Sequence, residues 1–326
     1  MDNSMTGDME IINDIPGETA ILLATYNGEK YLGEQLESLV RQSCSDFVCY
    51  IHDDASSDET VRIIEDYCTL YPQMFVFLGS SKCGGAKNNF FYLLKHVKSQ
   101  YYMFCDQDDY WLEDKVERSL NNLKVLESQY GRNIPLCVYA DAIITDENLN
   151  MAASSYFRKS RKDAEANSLT ELLKTNVAVG CTMAFNRALR DEAIIVQNLD
   201  NIFMHDWWCV LLCSLSGKMK CIQEPLSMYR QHGDNTVGLK DRSVSGRLKK
   251  VLSWRSWRSY WKMRTERPRR FATELAAIMP KDNVNYDFLE QLALIGEKRK
   301  ITRIRFYFKN DLFSSTDNKI IQLLFL

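Results

Sequence analysis

A chain of 326 residues, 45% hydrophobic and 26% charged with only 14 Gly and 6 Pro, has the make-up of a packed globular protein, which excludes wholesale disorder and fibrous repeats. No run approaches the roughly 20 uninterrupted apolar residues of a spanning helix, and the polar opening MDNSMTGDME lacks a secretory-signal pattern. The net charge of −2 hides a division: residues 240–309 carry 19 Lys and Arg against 7 Asp and Glu, leaving 22 against 36 elsewhere, so two kinds of partner are expected.

From Thr19 onward, short apolar runs alternate with amphipathic segments. Thr19–Ala24, Phe47–His52, Met74–Leu78, Tyr101–Cys105 and Leu136–Asp141 have the length and bulk of strands. Between them, apolar residues recur at helical steps: Tyr31, Leu32, Leu36, Leu39 and Val40, then Val61, Ile64 and Cys68, then Phe90, Leu93, Leu94 and Val97. Such repetition predicts right-handed crossovers and an α/β fold with a doubly wound, mostly parallel sheet. Ligands in these sheets bind beyond the carboxyl ends of the strands. Helices are predicted over Ser168–Asn176, Arg187–Gln197 and Asp206–Leu215, with short strands near Cys181–Phe185, Lys218–Ile222 and Leu226–Arg230. The expected division is an N-terminal tail (1–18), a main domain (19–240, halves 19–141 and 142–240) and a basic, tryptophan-rich, mainly helical region (241–326). The ten cysteines are scattered singly without a C-x-x-C, and read as reduced, mostly buried thiols.

The residues after each strand carry the chemistry. The first strand runs into Thr25-Tyr26-Asn27-Gly28, the second into Asp53-Asp54-Ala55-Ser56-Ser57-Asp58, and the fourth into Asp106-Gln107-Asp108-Asp109. Ser57 is expected to cap the next helix, with Asp58 as a second candidate. Glu59 stands where an EF-hand requires its turn glycine, so that loop is excluded. Asp106, Asp108 and Asp109 place three carboxylates in four residues and demand a counter-charge. A divalent cation with oxygen ligands would supply it; a solvated acidic loop is the alternative.

ATYNG, DDASSD and DQDDYWLEDK, in that order, resemble the inverting family 2 glycosyltransferases with the GT-A fold. NVAVGCTMAFNR (Asn176–Arg187), MHDWW (Met204–Trp208) and EPLSMYRQHGDNTVG (Glu224–Gly238) are similar to the rhamnosyltransferase-like branch, and the likeness spans residues 18–238. The resemblance implies that Ala24, Thr25, Tyr26, Asn27 and Asp54 hold the nucleotide, with Gly180 near the donor. It puts Asp106 by the ribose and Asp108 directly on a Mn2+ or Mg2+, with His232 as a further metal-site residue. It makes Asp206 the catalytic base. Simpler roles stand beside these: Asp206 as a helix cap, His232 as a hydrogen-bonded loop residue, Gly180 as a turn, and Trp207 and Trp208 as core. Ala55 replaces a commoner glycine and Glu113 a frequent proline, and neither touches the implied chemistry. The implied reaction moves L-rhamnose from dTDP-L-rhamnose to a polysaccharide or lipid-linked saccharide in cell-surface glycan synthesis. Its rivals are a nucleotidyltransferase, which would want a Gly-rich basic loop that ATYNGEK lacks, and an inactive sugar-nucleotide-binding scaffold.

In the basic region, Trp254, Trp257 and Trp261 recur at i, i+3, i+7, with Arg255, Arg258 and Lys262 one step round. A tryptophan stripe beside a cationic one suits an anionic membrane surface; packing of the tryptophans on the main domain is the alternative. Nucleic-acid binding is not expected, because no recognised nucleic-acid fold accompanies the cations. The expected location is cytoplasmic, peripheral at the inner face of the plasma membrane.

Overall fold

A computed structural model describes residues 18–233, 254–313, 323, 324 and 326, with the backbone alone over 254–261. The first half contains β1 (Thr19–Thr25), α1 (Leu32–Val40), β2 (Val48–Asp53), α2 (Thr60–Leu70), β3 (Phe75–Ser80), α3 (Ala86–His96) and β4 (Tyr101–Asp106). Its strands are all parallel, in the order β3-β2-β1-β4. The period of two in β1 explains how both sheet faces become core. Ala20, Leu22 and Ala24 join Phe90 and Leu94 of α3 on one face. Ile21 and Leu23 join Leu32, Leu36 and Leu39 of α1 on the other.

The second half adds β5 (Tyr110–Trp111), α4 (Lys115–Tyr130), β6 (Leu136–Thr145), β7 (Met151–Ala153), α5 (Tyr156–Ser160), α6 (Leu169–Lys174), β8 (Met183–Asn186), α7 (Arg187–Ala193), α8 (His205–Ser216) and β9 (Lys218–Arg230). The whole sheet runs β3-β2-β1-β4-β8-β6-β9-β5, with β7 on β6. The sheet is mixed in this half, with β6 and β9 parallel while β8 lies antiparallel to both β4 and β6, and β5 antiparallel to β9. The two short strands expected at 218–222 and 226–230 are one strand, β9. Its register against β6 shifts between Ala140 and Asp141, the step at which Asp141 comes opposite Pro225. A proline cannot donate to the ladder, so the irregularity falls where the sequence requires it. Helix α4 was not anticipated, although Val116, Leu120, Leu123 and Leu126 form one buried stripe.

Beyond these lie α9 (Trp254–Ile278), α10 (Tyr286–Leu294) and α11 (Lys300–Lys309), as the helical expectation required. Phe271, Ala272 and Leu275 of α9 are wholly buried and belong to the same core cluster as Trp207 and Trp208. The buried Glu274 accepts hydrogen bonds from the backbone N–H groups of Gln197 and Asn198, both at 3.1 Å, and from Asn201 Nδ2 at 2.8 Å. Among the described residues, no helix is long and apolar enough to cross a membrane.

Candidate active site

Four loops at the carboxyl ends of β1, β2 and β4 and the start of α3 are laced together. Buried Asp53 accepts from Thr25 Oγ1 at 2.9 Å, Ser56 N at 2.7 Å and Ser80 Oγ at 2.6 Å, so it fastens the rim rather than facing a ligand. Asn27 donates its N–H to Ser56 Oγ at 2.8 Å and accepts from Ser57 N at 2.9 Å. The helix start expected to depend on Ser57 is served by Asp58, whose Oδ1 accepts from Thr60 N at 3.1 Å. Asp54, expected on the nucleotide, is engaged within the chain: it accepts from the N–H groups of Cys83, Gly84 and Gly85. Thr25 and Asn27 hold loops in the same way. Of the expected nucleotide residues, Tyr26 offers an exposed ring, its backbone clamped by Gln107 through bonds of 2.8 and 2.9 Å. Ala24 pairs in register with Asp106 on the neighbouring strand.

The acidic loop after β4 comes together as a cluster. Burial, then the charges of Asp109, Asp108 and Asp206, push the Asp106 carboxyl well above its ordinary range. Burial and the neighbouring Asp108 lift Asp109 to about 7. One oxygen of Asp109 accepts from Arg230 N at 3.0 Å, while the other is buried with no oxygen or nitrogen donor. Asp108 meets His232 Nε2 at 2.7 Å, so the two residues expected at the metal are neighbours. Ligand atoms of Asp106, Asp109 and Cys181 lie within 4.8 Å of one another. Crowded carboxylates, a buried oxygen without an oxygen or nitrogen donor, and an adjacent imidazole fit a hard divalent cation. Asp109 belongs to the run of three acids expected to hold a cation, whereas nothing in the sequence pointed to Cys181.

Two cations built into the chain hold this cluster. Lys115, 1% exposed, donates to the Cys181 carbonyl at 2.6 Å and lies 4.3 Å from the Trp111 ring centroid. Burial lowers its pKa while the charges of Cys181, Cys105, Asp109 and Asp106 raise it. Arg230 donates to the carbonyls of Asp108 at 2.8 Å and Glu147 at 2.6 Å and pairs with Glu34. The late motif thus supports the acidic loop through Arg230 as well as through His232.

Asp206 lies in the first turn of α8, one residue after the helix starts. A carboxylate is favoured there by the helix dipole. Its oxygens accept from Trp207 N at 2.6 Å and Gly180 N at 3.0 Å. Burial still lifts its pKa to about 6 against the lowering effects of those N–H groups, Lys162 and Asn176. Gly180, expected by the donor, orients this carboxylate through its N–H. A Cβ on it would stand 2.9 Å from His205 Nε2, so no side chain fits. His205 is stacked on Phe90 at 3.9 Å, and burial drops its pKa to about 3, leaving it neutral. Trp207 and Trp208 are core, their indole N–H groups donating to Leu172 and Ala193 carbonyls at 2.6 and 3.1 Å.

A family model described as "Glycosyl transferase family 2" matches residues 20–194. The dTDP-rhamnosyl transferase RfbG of Shigella flexneri is 30% identical over 230 residues, 66% of this chain and 73% of that one. An uncharacterized protein of Mycobacterium tuberculosis is 27% identical over 216 residues, 65% of this chain and 58% of its own length. Among solved structures, S. aureus TarS 1-349 in complex with UDP superposes with a TM-score of 0.53 at 14% identity, covering 92% of this chain and 73% of that one. The mannosyltransferase PcManGT of Pyrobaculum calidifontis, in complex with GDP-Man and Mn2+, gives 0.50 at 12% identity, covering 96% and 81%. At such identities the structural likeness speaks to fold alone.

Proposed function

This chain belongs to glycosyltransferase family 2 and is a glycosyltransferase with the GT-A fold, and from that premise we propose an inverting, metal-dependent sugar transfer. The proposed donor is dTDP-L-rhamnose, supported by the Shigella flexneri relative's name. The proposed acceptor is a polysaccharide or lipid-linked saccharide. Residues 19–240 would form the catalytic domain, with its nucleotide half before residue 142.

The carrying observation is Asp206: one buried carboxylate, aimed by two N–H groups and poised near pH 6, within electrostatic reach of the acidic loop. Inversion needs one base to take the proton of the attacking hydroxyl. Asp206 fills that role in this reading. Asp106, Asp108, Asp109 and His232 would hold Mn2+ or Mg2+, which when bound neutralises the charge growing on the leaving diphosphate. Asp108 is the expected direct ligand. Tyr26 is placed to stack on the base, while Thr25, Asn27 and Asp54 keep the rim in shape. Contact with anionic membrane at the inner face of the plasma membrane is proposed through Trp254, Trp257 and Trp261, whose side chains lie outside the described residues.

The test is a nucleotide-sugar panel, with and without Mn2+, with the product anomer read by NMR. Metal-dependent consumption of dTDP-L-rhamnose and an inverted product are expected. A retained configuration would remove Asp206 as the sole base, and metal-independent turnover would remove the cation.

A further inference from the structure

The turn Gly180–Thr182 touches both the base and the acidic loop. Its Gly180 N–H donates to Asp206 Oδ2 at 3.0 Å, and the Cys181 thiol lies within 4.8 Å of carboxylate oxygens of Asp106 and Asp109. Thr182 folds its own N–H and hydroxyl back onto the Val179 carbonyl, at 2.9 and 2.8 Å, and the Gly180 carbonyl accepts from Met183 N. That leaves the Cys181 carbonyl, which accepts from Lys115 Nζ at 2.6 Å. Among the described residues, the turn's backbone thus reaches two distant side chains, the base and Lys115.

Lys115 is an unusual partner for a carbonyl. It is buried among the charges of Asp109 and Asp106, yet among the described residues it forms no ion pair, and its ammonium bonds the turn instead. Neutralising acids needs only a nearby charge; a short charge-assisted bond to one carbonyl also fixes a position. The side chain spans two layers as well. Its neighbours Trp111 and Val116 belong to the core on one face of the sheet, whereas Cys181, Trp207 and Trp208 belong to the core on the other. On the side of α8 the turn has no slack: a Cβ on Gly180 would stand 2.9 Å from His205 Nε2 and 3.6 Å from Asp206 Cβ. His205 is itself held by Phe90 at 3.9 Å and Phe104 at 4.4 Å. What keeps the turn from backing away from α8 is Lys115.

Resting on the reading of Asp206 as base, we infer that Lys115 is a positioning residue for the reaction: it holds the Gly180–Thr182 turn, and the turn aims the Asp206 carboxylate at the attacking hydroxyl. Lys115 itself touches neither the nucleotide sugar nor the acceptor in this reading. Misplacing a reacting group by about 1 Å costs up to ~10²-fold in rate, so the loss of Lys115 falls on turnover and not on nucleotide binding.

The probe reaction is hydrolysis of dTDP-L-rhamnose by water at saturating Mn2+, read as dTDP release by the full chain, with dTDP affinity titrated in the same buffer. Lys115→Met keeps the length of the side chain and removes its N–H groups and charge. At a temperature where melting curves show every variant folded, its kcat should fall by ~10–10²-fold, while dTDP affinity changes by less than about threefold. Lys115→Gln, with a shorter and neutral N–H group, should lose kcat in the same sense and takes the place of Lys115→Met where that variant does not fold. The comparison that separates positioning from general damage is made in the Asp206→Asn background, where no base is left to aim. There either Lys115 variant should change the residual rate by less than about twofold. Losses that multiply in the double variant, a normal kcat in a folded Lys115 variant, or a fall in dTDP affinity matching the fall in kcat would each overturn the inference. Asp206→Asn alone reports the base reading separately: an unchanged rate there removes the base, whereas a lowered rate beside an unaffected Lys115 variant removes only the positioning role.

Discussion

Burial holds Asp206 at a pKa of about 6 instead of 3.8, which fixes two pH dependences. As a base it must be ionised, so turnover should rise with pH through about 6 and level off above. Stability runs the other way. Between about pH 4 and 6 the folded chain keeps a proton that the unfolded chain has released, so this group's stabilisation, complete below pH 4, is lost as pH rises through 6. Asp206→Asn cannot accept the proton, and kcat should fall by ~10²–10⁴ with donor affinity close to normal. Urea denaturation of the same variant at several pH values should show a flatter slope across that window. Near-normal kcat would move the base elsewhere. Ala55 offers a test of the rim. Its φ of +60° is one an L-residue reaches only at a steric cost, and glycine, the commoner residue in this motif, has none. Ala55→Gly should stabilise the chain by about 0.5–1 kcal/mol, the relief of strain exceeding the added freedom of the unfolded backbone. A lower midpoint would mean that the loop relaxes around alanine.

The elements that carry the site were the more legible part of the sequence, because strand–helix alternation and acidic strand ends are local patterns. Asp106, Asp108 and Asp206 could be placed on strand and helix ends from the residues beside them. The duties of Asp54 and Gly180 could not, since their partners, Cys83 to Gly85 and Asp206, come from other loops. Strand direction was also hidden: nothing within MAFN says that β8 runs against β4. Lys115 is the sharpest case. In sequence it is the lysine of an ordinary helix start, yet it lies fully buried and joins α4 to the turn at Gly180–Thr182. Lys115→Met would leave the Cys181 carbonyl without its donor and the acidic cluster with Arg230 as its remaining built-in cation. A loss of ~3–5 kcal/mol is expected, the scale for uncovering one half of a buried charged contact. Denaturation showing less than about 1 kcal/mol would mean that water or a shifted side chain takes its place.

Taken whole, the described helices beyond residue 254 share the core of the main domain. The basic region's helices bring Phe271, Leu289, Leu292 and Tyr307 into the same core cluster as Trp207, Trp208 and the first strand. Phe271 lies 5.2 Å from Trp207, the residue that follows the base. Glu274 meanwhile ties α9 to the segment just before α8. This packing docks the far half of α9 on the main domain, while the tryptophans over which the membrane and packing readings differ sit in its first turns, their side chains outside the described residues. Two consequences distinguish a docked region from an appended one. Phe271→Ala should cost ~3–5 kcal/mol, as for a large aromatic removed from a core. Calorimetry should also show a single transition, with donor-binding capacity lost at the same temperature as the helices. A separately folded region would give two transitions, and the variant would lower only one of them. In that outcome the base would owe nothing to α9, and a chain ending near residue 240 would keep its activity.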